Sequence, residues 1–299
     1  MRINYTEKAL GGRPLSKRAG ILMGAIAGDI IGSVYKGKGF ATKEKSGWPL
    51  FKGSEISGDL EADRRAGTSV ITEDTVQMLA ICEALMKATC KHKYEDCAVE
   101  ELRRICRQYR VAYSDRFFAW VHKDAAGPYE SRGNVAAVRA IASVAYSPSP
   151  HRAQTIARGA VEMSHNHRDS LYAAQVVATM LVEYLEGGHT RESLLECAGG
   201  YYPMDFSLDD IRADYHCIGT CAESVQQALK AAFDGPDFEG AVRNAVSLGG
   251  DSSTQAAIAG AFAAALYGLP QEIADCAWQH MPQPELRDIL LRITAKCDE

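Results

Sequence analysis

The feature that most constrains this chain is the near absence of alternating apolar and polar residues, which is the pattern of a half-buried β-strand. Apolar residues recur instead at helical spacing, and the residues that stop regular structure fall between these helical stretches. In the stretch 254–268, Ala256, Gly260 and Ala264 recur every four residues and form a stripe of small side chains. Such a stripe lets a second helix approach closely. The pattern therefore predicts an all-α fold.

The predicted helices cover most of the chain, and 254–268 is the last clear one. They span residues 19–35, 76–88, 96–110, 115–124, 134–146, 151–163, 169–186, 190–198, 221–233, 237–247 and 254–268. Residues 36–71 are predicted to form a long loop, and residues 199–217 to be mostly loop. No repeat or Pro/Ser-rich linker divides the 299 residues. We therefore expect one compact multi-helix domain over 19–299, preceded by an N-terminal extension of residues 1–18.

The net charge and the hydropathy pattern argue against nucleic acid and the membrane interior as partners of this chain. The formal net charge is -5, which gives no electrostatic footprint for nucleic acid. The apolar runs are short and interrupted, so we expect no membrane-spanning segment. The N-terminus is polar and basic and lacks the apolar core of a secretory signal. We therefore expect a cytoplasmic protein, with a bacterial effector exported without a cleaved signal as the alternative.

Two acidic, hydroxyl-rich clusters stand out, and each opens a predicted helix. The first is Thr72-Glu73-Asp74-Thr75, and the second is Gly249-Gly250-Asp251-Ser252-Ser253-Thr254. One interpretation is helix capping, because Thr, Ser and Asp accept hydrogen bonds from the free N–H groups of a first turn. The other is a hard-cation site, because Mg²⁺ and Mn²⁺ prefer carboxylate and hydroxyl oxygens. Either cluster alone leaves both interpretations open.

Two weaker motifs lie between these clusters. Ser164-His165-Asn166-His167 places its histidines two residues apart, so they do not share a helix face as a zinc pair would. These residues either cap the helix that begins near Asp169 or line a site. Gly133-Asn134 stands where a helix begins, and a helix N-terminus beside a glycine can receive a phosphate.

Taken together and in order, these motifs resemble those of the ADP-ribosylglycohydrolase family, over roughly residues 20–270. The matching segments are GAIAGDIIGSVY (24–35), WPLF (48–51), TEDT (72–75), GNVAAVR (133–139), SHNH (164–167) and LGGDSSTQAAIAGAFAAALYGLP (248–270). The last segment is the most specific, because the family reads GGD-x-D-T-x-A-A-x-x-G there. The resemblance implies an all-α fold with a cleft for ADP-ribose and two Mg²⁺ or Mn²⁺ ions. It also implies hydrolysis of an N- or O-glycosidic bond at ribose C1″.

Carried onto this sequence, the resemblance implies a role for individual residues. Metal ligands are expected at Thr72, Glu73, Asp74, Asp251 and Thr254. Among them, Glu73, Asp74 and Asp251 are also expected to be catalytic. Contacts with ADP-ribose are expected from Lys36, Gly133, Asn134, Val135, Ala136, His165 and Ser253. Asp29 and Ser33 fall near the site, with Asp29 a candidate structural cap.

The sequence departs from the family pattern at the expected metal centre. Lys36 stands where the family has a glutamate, Ser253 where it has a second aspartate, and Glu73 where it has a shorter aspartate. The first two exchanges make the site about three charge units more positive, and like charges a few ångströms apart repel by several kcal/mol. We therefore expect at most one ion. The alternative is no ion, with the ammonium of Lys36 paired to Glu73, Asp74 or Asp251.

These observations predict an ADP-ribosylglycohydrolase-like hydrolase that uses one or no Mg²⁺ or Mn²⁺ ion. The expected partner is ADP-ribose or an ADP-ribosylated protein. The alternative prediction is a non-catalytic pseudoenzyme that binds ADP-ribose.

Overall fold

The structure, a computed structural model, describes residues 8–12, 14–36, 46–90, 92–187, 189–216 and 219–297. Within these ranges the chain forms fifteen α-helices and no β-strand, which confirms the all-α prediction. They are α1 (Lys17–Ser33), α2 (Leu60–Arg65), α3 (Glu73–Lys87), α4 (Tyr94–Gln108), α5 (Asp115–His122), α6 (Val135–Ile141), α7 (Pro150–Val161), α8 (Arg168–Glu186), α9 (Arg191–Tyr201), α10 (Leu208–Arg212), α11 (Cys221–Asp234), α12 (Phe238–Ser247), α13 (Ser252–Tyr267), α14 (Gln271–Gln279) and α15 (Pro284–Cys297).

Four helices were absent from the sequence prediction. Helix α2 lies within the predicted loop 36–71, of which residues 37–45 fall outside the described ranges. Helix α10 lies within 199–217, and α14 and α15 follow the stretch that was predicted to be the last helix. The two shortest, α2 and α10, each bury only two residues, so their sequences carry little apolar periodicity.

Helices α1 and α13 form the centre of the fold, and nearly every residue of both is buried. Their backbones approach closely along a seam of small residues. A Cβ placed on Gly28 would stand 1.9 Å from the carbonyl oxygen of Ala256, and one on Gly260 would stand 2.3 Å from that of Gly24. Only glycine fits at these two positions. The small-residue stripe in 254–268 therefore packs against α1.

The other helices surround this central pair. Helices α11 and α12 pack on α13, helices α4 and α6 pack on α3, and α7 packs on α8. As a result, the C-terminal end of α1 and the N-terminal ends of α3, α6 and α13 meet in one region. None of the described helices combines the length and apolar character that a membrane crossing requires.

The described part of the N-terminal extension is attached to the helical domain. Lys8 Nζ lies 2.9 Å from Asp275 Oδ2, and the backbone N–H of Ala9 donates to Asp275 Oδ1 at 2.8 Å. Asp275 belongs to α14. Helix α1 begins at Lys17, inside the predicted extension, while residues 1–7 and 13 fall outside the described ranges.

Candidate active site

The first acidic run is fixed in place by a buried carboxylate of α1. Asp29 accepts four hydrogen bonds from the start of α3: from the backbone N–H groups of Thr72 (2.9 Å) and Thr75 (3.2 Å), and from their hydroxyls (2.7 and 2.6 Å). Burial raises the pKa of Asp29, and the hydrogen bonds from Thr72 and Thr75 counteract this. Thr72 is also the N-cap of α3 and accepts from the N–H of Asp74. The capping interpretation therefore holds for Thr72, and Asp29 anchors the helix.

Asp74 joins the two acidic clusters. Its Oδ2 atom lies within hydrogen-bond distance of three hydroxyls: those of Thr72 (3.1 Å), Ser253 (3.1 Å) and Thr254 (2.9 Å). Its Oδ1 atom is buried and accepts no hydrogen bond from any described residue. Burial raises the pKa of Asp74 well above its ordinary value. One oxygen of this carboxylate is thus satisfied by the protein, and the other has no hydrogen-bond partner among the described residues.

Lys36 lies between the two clusters. Its Nζ atom is 2.9 Å from Asp251 Oδ1 and 3.5 Å from Glu73 Oε1. Burial disfavours the charged ammonium, but the carboxylates of Asp251, Asp74 and Glu73 outweigh this and raise the pKa of Lys36. Burial also raises the pKa of Glu73, while Lys36 opposes that shift. The ammonium is therefore a fixed positive charge within the acidic cluster.

The Gly133-Asn134 turn forms the next wall of the site. Asn134 Nδ2 donates to Asp251 Oδ2 at 3.0 Å, while Asp251 Oδ1 is ion-paired with Lys36. The backbone N–H of Asn134 donates to the carbonyl of Gly219, and Gly133 pairs with Thr220 in an isolated antiparallel bridge. A Cβ on Gly219 would stand 3.1 Å from Asp251 Oδ2. Sequence analysis missed Gly219 and Thr220 as part of this wall.

Five of the expected ligand contacts are buried, namely Asn134, Val135, Ala136, His165 and Ser253. Val135 and Ala136 are the first two residues of α6, and both are buried, with Ala136 in the hydrophobic core. Ser253 is also fully buried and is held by Asp74.

A buried polar chain connects Glu73 to His165. Gln77 Nε2 donates to Glu73 Oε2 at 3.3 Å, and Gln77 Oε1 accepts from Arg139 Nε (2.8 Å) and Nη2 (2.6 Å). Arg139 Nη1 then donates to Ser164 Oγ at 2.8 Å, and Ser164 Oγ lies 2.8 Å from His165 Nδ1. Arg139 is fully buried. The only sequence signal for this link was a charged residue inside an apolar helix.

The two histidines of the SHNH motif occupy different places. His165 is buried, and a Cβ on Gly133 would stand 3.0 Å from its Nε2 atom. Burial, and then the nearby Arg139, lower the pKa of His165 well below its ordinary value, so the ring is neutral. His167 instead caps α8, accepting from the N–H of Asp169 at 3.2 Å. The motif thus provides both a site wall and a helix cap.

A cavity of about 340 Å³ opens beside Lys36 and Thr72. Helix α2 and residues 110–112 form its far side, and neither was predicted to contribute. Its lining includes Lys36 and Thr72 but not Glu73, Asp74 or Asp251, so the cavity borders the acidic cluster on one side.

The comparison with known sequences decides the family. The ADP-ribosylglycohydrolase family model matches residues 12–297. The chain belongs to the ADP-ribosylglycohydrolase family. An ADP-ribosyl-[dinitrogen reductase] glycohydrolase from Rhodospirillum rubrum is 25% identical over 269 residues, which cover 84% of this chain and 85% of that protein. The resemblance in the sequence motifs is therefore confirmed.

A solved structure also resembles this ADP-ribosylglycohydrolase family member. It is described as an ADP-ribosylglycohydrolase-related protein complex, with a TM-score of 0.65 and 24% sequence identity. The match covers 94% of this chain and 98% of that one. It supports the all-α fold.

ADP-ribosylglycohydrolases generally depend on metal ions, but the residues described here do not fit a two-metal centre. Among these residues, no group of three or more His, Cys, Asp or Glu side chains is arranged to hold an ion. Position 253 supplies a hydroxyl, and the ammonium of Lys36 lies between Glu73 and Asp251. At an effective dielectric constant of about 20, a divalent ion about 4 Å from this ammonium would be repelled by about 8 kcal/mol.

Proposed function

We propose that this protein hydrolyses the glycosidic bond between ribose C1″ of ADP-ribose and an acceptor group. One observation carries the proposal: Lys36, Glu73, Asp74 and Asp251 converge beside the Gly133-Asn134 turn in a chain of this family. The alternative of a non-catalytic ADP-ribose-binding protein gains no support from the comparisons. It becomes an outcome of the test below.

Asp74, Asp251 and Glu73 each have a separate role in the proposed hydrolysis. Asp74 Oδ1, which is buried without a protein donor, accepts a hydrogen bond from a ribose hydroxyl. Asp251, held by Asn134 and Lys36, orients the water that attacks C1″ and accepts its proton. Glu73, whose pKa burial raises, gives a proton to the departing acceptor. The products are ADP-ribose and the free acceptor.

We further propose that the acceptor is a protein side chain. The relative from Rhodospirillum rubrum is named for an ADP-ribosylated protein substrate, and the same class of substrate is proposed here. The cavity beside Lys36 and Thr72 provides room for a side chain that leaves from C1″.

The test is the release of ADP-ribose from proteins that are mono-ADP-ribosylated on arginine or on serine, with Mg²⁺ and with a chelator. We expect release from at least one substrate, and Asp251→Asn should slow it by about 100-fold. Asp205→Asn, which changes an exposed aspartate, is the matched control. Binding of ADP-ribose without release from either substrate would favour the non-catalytic alternative. If ADP-ribose neither binds nor is released, the proposal is wrong.

A further inference from the structure

We propose that the ammonium of Lys36 is the resident cation of this site and takes the place of divalent metal ions. The ribosyl ligand then binds to a fixed cluster of one ammonium and several carboxylates, without added metal. This inference rests on the proposed function for the identity of the ligand. Its claim about the cation is independent of any activity.

The geometry of Lys36 is the first argument. Nζ bridges a carboxylate from the start of α3 and one from the start of α13, at 3.5 Å from Glu73 and 2.9 Å from Asp251. A divalent cation shared by the two acidic clusters would need the same space. Asp251 is further held by Asn134, so its carboxylate already has a partner on each oxygen.

The remaining carboxylates of the cluster are also engaged. Asp29 accepts the four hydrogen bonds from Thr72 and Thr75, and Asp74 Oδ2 accepts from the hydroxyls of Ser253 and Thr254. Glu73 Oε2 accepts from Gln77, which in turn binds the second buried cation, Arg139. Two buried carboxylate oxygens of the cluster, Asp74 Oδ1 and Asp251 Oδ1, accept no hydrogen bond from any described residue, and the second of them is ion-paired with Lys36.

Of these two oxygens, only Asp74 Oδ1 also lacks an ion pair, so a divalent ion would find one uncommitted carboxylate oxygen here. Mg²⁺ requires near-octahedral coordination and is usually held by one or two carboxylates together with water and ligand oxygens. Recruiting a second carboxylate here would mean breaking an ion pair with Lys36 or releasing the first turn of α3. A single hydroxyl of a ligand, by contrast, satisfies Asp74 Oδ1 without disturbing either contact.

The test measures metal binding rather than turnover. Mn²⁺ is titrated into the wild-type protein by calorimetry, and its effect on the melting temperature is recorded for the wild type and for Lys36→Met. We expect no saturable binding and no thermal shift for the wild type. Lys36→Met should melt at a lower temperature, and Mn²⁺ should restore much of the loss, because the uncompensated carboxylates then accept an ion.

Two further variants sharpen the result. Lys36→Glu combined with Ser253→Asp should bind Mn²⁺ saturably, whereas Lys123→Glu, which makes the same charge change at an exposed position, should not. Saturable Mn²⁺ binding by the wild type at micromolar concentration overturns the proposal, whatever the variants do. Failure of ADP-ribose release with no Mn²⁺ binding would count against the proposed function alone.

Discussion

The carboxylate of Asp29 and the hydroxyl of Thr72 lie 2.7 Å apart, although 43 residues separate them in the sequence. Through this contact and the three others to Thr72 and Thr75, the central helix α1 fixes the direction in which α3 begins. Asp29 does not enter the proposed chemistry. It determines where Glu73 and Asp74 stand.

We expect Asp29→Asn to destabilise the fold. The amide would place two donors against the donors of Thr72 and Thr75, leaving hydrogen bonds unmade in a buried region at a cost of about 3 kcal/mol. Denaturant unfolding would measure the loss, with Asp115→Asn at the exposed start of α5 as control. If Asp29→Asn and Asp115→Asn had the same free energy of unfolding, the anchoring role of Asp29 would be contradicted.

The close packing of α1 against α13 leads to a second prediction, which concerns the glycines of α1. Gly28→Ala should lower stability by about 3 kcal/mol or more, because its Cβ would meet the backbone of Ala256 rather than a movable side chain. Gly20→Ala lies in the same helix and meets no atom within 4 Å. This control should raise stability by about 1 kcal/mol through helix propensity. Thermal unfolding of both variants distinguishes packing from propensity, and a similar effect at the two positions would count against the close seam.

The buried pair of Arg139 and Gln77 should behave as a coupled unit. Arg139→Met alone leaves Gln77 Oε1 and Ser164 Oγ without their donor, and Gln77→Met alone leaves the guanidinium poorly satisfied. The double variant removes both partners, so its destabilisation should be smaller than the sum of the single effects by about 1–3 kcal/mol. Denaturant unfolding of the four proteins completes the cycle. Additive effects would mean that the two side chains do not support each other.

Acid should destabilise the protein through His165. Burial and Arg139 lower the folded-state pKa of this ring, so its contribution to stability is present above the unfolded-state pKa and is lost as the pH falls. If the ring stays neutral in the folded protein, lowering the pH from about 7.5 to about 5.5 should reduce the free energy of unfolding by about 1.4 kcal/mol. Burial shifts His280 in the same direction.

The control for this pH effect is His165→Gln, which has no titrating ring at position 165. It should lose less stability than the wild type over the same pH range when both are unfolded with denaturant. An identical pH dependence of the two proteins would show that another group is responsible.

Helix positions were predicted most accurately from the sequence where the apolar periodicity is strong. Helices such as α1, α3 and α13 bury residues on nearly every turn, and their positions were expected within a few residues. Helices α14 and α15 each have a buried face but lie beyond 254–268, the last stretch with clear helical spacing. Short α2 and α10 depend on caps by Asp59 and Ser207 rather than on periodicity.

The residues of the site were only partly foreseeable. Matching charges allowed Lys36 to be considered as a partner of the acidic clusters before its position was known. The link from Gln77 to Arg139 joins residues 62 positions apart, and nothing in either local pattern shows which polar atom will meet which. The pairing of Gly133 with Thr220 is likewise not visible in the local sequence of either residue. Such contacts follow from the packing of whole helices, which a local pattern does not contain.

The contacts that build the site have a consequence for synthesis. Asn134 meets Asp251 across 117 residues, Asp74 meets Ser253 across 179, and Ser252 donates to the carbonyl of Gly32 across 220. The ribosome must therefore release α13 before the first acidic run can find its partners, and closing such long loops is entropically slow. A nascent chain that ends before α13 lacks Asp251, Ser253 and Thr254 and therefore has no site. Any measured activity would report that α13 had packed against α1.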